Sequence, residues 1–120
     1  MFRAYAFTEM GYPYLPPRPF FESNCASVPD EFYDPDFGYE LYNKCYDIYA
    51  AAHALGLDVM VNEHHSTATC LNSVVPLSMP ILARETRRAR ILTLGKPLAH
   101  RPDPLPTARG DREIRAVARV

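Results

Sequence analysis

Between Tyr39 and Leu55 the apolar residues Leu41, Cys45, Ile48, Ala52 and Leu55 recur at steps of four, three, four and three. That period lines them along one stripe and predicts a helix over 39–55, with Gly56 as its stop. Leu57 to Val61 follows at once as an apolar run of strand length, hydrophobic at most positions as a strand covered on both faces would be. A helix that feeds a buried strand across a one-residue turn marks an α/β arrangement. Met1 to Phe7, with Phe2, Tyr5 and Phe7 among small residues, predicts a first strand, and Gly11-Tyr12-Pro13 ends it.

Further along, Leu71 to Arg88 reads as a second helix whose start is disturbed by Pro76 and Pro80. A proline inside a helix costs about 3 kcal/mol, so the regular part is expected from Ser78 to Arg88, with Ser78 as cap and Pro80 in the first turn. Ala89 to Leu94 predicts a third strand, broken by Gly95-Lys96-Pro97. Leu15 to Phe37 shows neither period and is read as a long excursion; Phe20, Phe21, Phe32, Tyr33 and Phe37 argue that it packs. A short helix over 111–120, with Ile114, Val117 and Val120 on one side, is the weakest pattern. The order strand, excursion, helix, strand, helix, strand predicts an α/β fold with a parallel sheet and right-handed crossovers.

Composition narrows the function classes without naming one. At 120 residues, with 48% hydrophobic and 22% charged, the chain suits one globular core. A formal net charge of −1 gives no broad attraction to nucleic acid or to an anionic membrane, and neither is expected as a partner. The longest apolar run, Ile48 to Leu57, is about ten residues and contains His53, against about 20 needed to span a bilayer. Cys25, Cys45 and Cys70 have no paired metal spacing and no secretory pattern before them, so they read as reduced thiols of a cytoplasmic protein.

In parallel α/β folds the loops at the carboxyl ends of strands build the site, because helices crowd the faces. Asn62-Glu63-His64-His65 closes the second strand and Gly95-Lys96-Pro97-Leu98 closes the third, so both point toward one mouth. A histidine there can shuttle protons near neutrality. If the chain stays extended, Glu63 and His65 face one way and His64 the other. A metal site from Glu63, His64 and His65 would need a further donor, with only His53 and His100 left as histidines and His53 in a helix on another layer; no metal site is expected. Gly95 alone reads as a turn, Lys96 as a solvated cation with reach to an anionic ligand, and Arg84 to Arg90 as cations offsetting a helix end.

The stretches "LYNKCYDIYAAAHALGLDVMVNEHHSTATCLNS" and "ILARETRRARILTLGKPLAHRPDPL", with "FTEMGYPYLP" and "YDPDFGYELYN" before them, resemble the amino-terminal part of the bacterial luciferase-like, flavin-dependent monooxygenases over about residues 2–105. The resemblance implies the first three strand-helix units of an eight-stranded (β/α) TIM-type barrel, an oxidoreductase that binds reduced FMN or a deazaflavin. It also implies a separate flavin reductase, and oxidation of a small organic substrate with molecular oxygen. By the same resemblance His64 is the catalytic histidine, Gly95-Lys96 passes its backbone under the flavin ring, and Asn62 and Glu63 are cofactor-pocket positions. After "DPL" the chain departs from the family pattern, with Pro106 and Gly110 where a helix is expected. Residues 106–120 are therefore expected to be a divergent or frame-shifted tail, and the chain an incomplete fragment, inactive alone and binding FMN weakly or not at all. A complete barrel takes about 250 residues. A second reading is a non-catalytic protein that pairs with a related full-length subunit, giving a homo- or hetero-oligomer; a third is a metal-dependent hydrolase using Glu63, His64 and His65.

Overall fold

The computed structural model describes residues 2–17, 22–23, 28–65 and 67–94. In chain order these form β1 (Tyr5–Phe7), a 3-10 turn (Asp30–Phe32), α1 (Pro35–Ala54), β2 (Asp58–Asn62), α2 (Val75–Thr86) and β3 (Ile91–Leu94). The sheet is parallel, in the order β1-β2-β3. The expected short helix over 111–120, the boundary at 105/106 and the glycine turn at 95–97 lie outside the described residues.

α1 begins earlier than its apolar stripe predicts, because Asp34-Pro35 is itself a start signal. The Asp34 carboxylate accepts from the Asp36 amide at 2.9 Å, and Pro35 stands at the first helical position, where its missing donor costs nothing. The buried face also differs from the expected stripe: Ile48 and Leu55 are 47% and 84% exposed, while Gly38, Cys45 and Tyr49 are buried. Tyrosine decides the rotation, since its ring packs like a hydrophobe and its hydroxyl pairs with the backbone below. Tyr49 donates to the Met60 carbonyl at 3.0 Å and accepts from the Thr8 amide at 3.3 Å, joining α1 to β1 and β2. Tyr42 donates to the Leu71 carbonyl. α1 ends in a Schellman turn: Gly56, at φ 90°, donates to His53 at 2.9 Å, and Leu57 to Ala52 at 3.1 Å.

α2 begins at Val75 instead of Ser78 and ends at Thr86 instead of Arg88. Pro76 occupies the first turn, and Pro80 lies inside the helix on its exposed side. Val74 supplies no side-chain cap; the Glu63 carboxylate, coming from the end of β2, accepts from the Val75 amide at 3.1 Å. Ser78 is thereby released from capping and its hydroxyl donates to Asn72 Oδ1.

Val59 and Val61 are buried against Tyr49, Val75, Met79 and Leu82, with Ala6 and Ile91 packed beside them. Burying one side chain such as Leu82 in this layer contributes about 1.5–3 kcal/mol. Parallel register puts Phe7, Met60 and Leu92 in one row on the opposite face, followed by Asn62 and Leu94. Phe7, Leu92 and Leu94 are 39%, 45% and 49% exposed. The sheet is thus covered by helices on one face only among the described residues, where the apolar run of β2 predicts two covered faces. At the amino end Asp58 ties the strands, accepting from Arg3 Nη1 at 2.9 Å and from the Arg90 amide at 3.0 Å.

Candidate functional site

β2 and β3 run out side by side, since Asn62 registers with Leu94, and β1 ends at the same rim. The loops leaving β1 and β2 then bond to each other. Tyr12 donates to the Ala68 carbonyl at 2.8 Å and Leu71 to Met10 at 3.1 Å, while within the loop after β2 His64 donates to Asn72 at 3.2 Å. Close approach is needed at Gly11, where an added Cβ would lie 3.3 Å from the Thr69 carbonyl oxygen. Met10 takes a φ of 50°, unusual for a residue with a side chain, and is buried. That turn follows Glu9, which stands two residues beyond β1 as His64 stands two beyond β2.

Asn62 is the hub of the rim. Its side-chain Nδ2 donates to Glu9 Oε2 at 2.6 Å and lies 3.2 Å from His64 Nδ1, while its Oδ1 accepts from the Cys70 thiol at 3.5 Å. Its backbone carbonyl accepts from Asn72 Nδ2 at 2.7 Å, which fixes the strand end. His64 Nδ1 and Glu9 Oε2 are 3.4 Å apart, an ion pair whenever the ring is protonated, with both side chains about half exposed. Cys70 is buried, and burial pushes its thiol up despite the Asn72 contact.

Glu63 turns the other way. Its carboxylate, 1% exposed, holds His65 Nε2 at 2.9 Å as well as the Val75 amide, so it joins the loop to the start of α2. The alternation expected of an extended chain persists past the strand end: Asn62 and His64 share one side, Glu63 and His65 the other. Glu63, His64 and His65 therefore do not converge as metal donors. Glu9, His64 and Cys70 do, with ligand atoms all within 4.8 Å of one another. His53 sits at the far end of α1, its Nδ1 3.4 Å from the Leu57 carbonyl.

His64 and Cys70 also line a cavity of about 330 Å³ whose other walls include Tyr12, Phe32, Tyr33 and Leu71. The aromatic side is built: Tyr12 accepts from the Asp34 amide at 3.0 Å, and its ring meets Tyr33 and Tyr14 at 5.4 and 5.7 Å. Part of the long excursion thus closes the site and anchors the start of α1. Of the residues expected here, Asn62 and His64 meet at the rim and Glu63 lies buried behind it; Gly95 and Lys96 fall outside the described residues. Glu9, Tyr12 and Cys70 were not expected. Glu9 was recoverable by the same reasoning that singles out His64, because it follows the first strand at the same interval.

No helix among the described residues is long and apolar enough to cross a membrane. Compared with family models, with curated proteins and with solved structures, the chain gives no match.

Proposed function

We propose that the chain is the amino-terminal, flavin-facing part of a luciferase-like monooxygenase, an oxidoreductase that uses reduced FMN, or a deazaflavin, and molecular oxygen to oxidise a small organic substrate. The observation that supports this reading is the convergence of Glu9, Asn62 and His64 at the carboxyl ends of a sheet whose strand order follows chain order. A sheet wound one way, with α1 and α2 packed together on one face, is compatible with part of a (β/α) barrel, in which the opposite apolar face would be the interior. The resemblance to the family supplies the chemistry, and a cytoplasmic location with a separate flavin reductase goes with it.

On this reading His64 is the catalytic residue, a half-exposed imidazole that can hold or move a proton at Nδ1 or Nε2. Asn62 orients the ring and Glu9 partners it when protonated. Glu63 acts one layer back, fixing the loop through His65 and α2. Gly95 and Lys96 keep the cofactor-binding roles that the resemblance implies. The flavin, when bound, supplies the redox chemistry. The walls of Tyr12, Phe32 and Tyr33 suit a flat apolar ring, whereas the cavity lining has no lysine or arginine among the described residues to meet a phosphate. The full chain is therefore expected to quench flavin fluorescence weakly, with FMN and riboflavin dissociation constants within about threefold, a difference under about 1 kcal/mol. Stoichiometric FMN binding more than about tenfold tighter than riboflavin overturns the reading.

The face carrying Phe7, Leu92 and Leu94, uncovered among the described residues, favours a second reading, a non-catalytic protein that pairs with a related full-length subunit. Co-purification of such a subunit with a chain that does not quench flavin would select it.

A further inference from the structure

We propose that Glu9, His64 and Cys70 form a binding site for one zinc-class divalent cation, completed by the amide of Asn62. The three donors come from the loops leaving β1 and β2 and present an oxygen, a nitrogen and a sulfur within 4.8 Å of one another. Zinc accepts this mixed set, and bonds of about 2.0–2.3 Å space tetrahedral ligands about 3.3–3.8 Å apart. Glu9 Oε2 and His64 Nδ1 already stand 3.4 Å apart. Their side chains are half exposed and can swing toward the sulfur, which is held in place by contacts to Asn62 Oδ1 and to the Asn72 carbonyl at 3.9 Å.

Asn62 is the second, independent observation. One amide touches all three donor atoms, its positive Nδ2 edge set against Glu9 and His64 where the cation would sit. When the cation binds, the Cys70 thiol gives its proton to solvent and a sulfur-metal bond forms, with no change in oxidation state. The sulfur then no longer donates. A half-turn of the Asn62 amide presents Oδ1 to the metal and an Nδ2 hydrogen to the thiolate, so every polar atom keeps a partner. The coordination needs no flavin, and it goes beyond the monooxygenase reading while using the same His64.

The test is a titration of the full, reduced, flavin-free chain with Co²⁺. One equivalent is expected to produce the near-ultraviolet thiolate-to-cobalt charge-transfer band and the intense visible bands of four-coordination, both displaced by Zn²⁺. Cys70→Ser is expected to abolish the charge-transfer band, and Glu9→Gln to weaken Co²⁺ binding at least about tenfold. Cys45→Ser is expected to leave both unchanged. Far-ultraviolet circular dichroism checks that each variant folds, and the wild-type spectrum decides the matter if one does not. Absence of a charge-transfer band in the wild type, or its survival in a folded Cys70→Ser chain, overturns the proposal.

Discussion

Tyr49 shows how a single side chain can outweigh a hydrophobic pattern. It is fully buried, and its hydroxyl ties the Met60 carbonyl of β2 and the Thr8 amide just after β1 to α1, so a helix face richer in Ile48 and Leu55 is left in solvent. Tyr49→Phe would strand the Met60 carbonyl and is expected to cost about 1–3 kcal/mol, read as a lower midpoint in urea unfolding. Burial pushes both Tyr42 and Tyr49 up to about 12 from an ordinary 10.0. A phenol whose folded value is raised stays neutral while the unfolded chain ionises. Their contribution to stability is accordingly whole below pH 10.0 and declines as the pH rises from there through about 12. Urea midpoints measured across that window are expected to fall, and to fall less steeply in Tyr42→Phe. The buried thiols of Cys45 and Cys70, both pushed up by burial, are expected to resist alkylation until the chain is denatured, as mass spectrometry of iodoacetamide-treated protein would show.

At the level of elements, the three strands and the two α-helices of the described residues were legible in the sequence, while most of their limits were not. Asp34-Pro35 moved the start of α1, and Glu63 moved the start of α2, because both carboxylates satisfy helix amides that hydrophobic spacing does not register. The second case is a contact across twelve residues, which local pattern cannot contain. Glu63→Ala is expected to destabilise the chain by about 1 kcal/mol, with Glu63→Gln retaining most of that through its amide oxygen; thermal melts of the two variants would separate them. The site divided in the same way. His64 was legible because polarity at a strand tip is locally conspicuous, whereas Cys70 looked like one more reduced thiol until the loop folded back on Asn62. At the other end of the sheet the Arg90 amide, and after it Arg3, hold the Asp58 carboxyl below its usual range. The sign follows: this contribution is present above pH 3.8 and is lost as the pH falls through the lowered folded value. Asp58→Asn is expected to flatten that acid limb of the stability profile measured by urea unfolding.

As a whole, the described molecule is a parallel sheet with helices on one face, an open apolar face and a polar rim. Burial of the open face is favoured at about 25 cal/mol for each Å² of apolar surface, so concentration-dependent association is expected by light scattering, reduced by Leu92→Lys on that face. The rim faces along the strands instead, and the functional account rests on its being where the flavin ring goes. Titration of oxidised FMN into isotope-labelled chain, followed by amide chemical shifts, tests that most directly. The account predicts movement concentrated at Tyr12, His64, Thr67, Ala68 and Cys70, with Phe7, Leu92 and Leu94 still. Shifts confined to the open sheet face would contradict it.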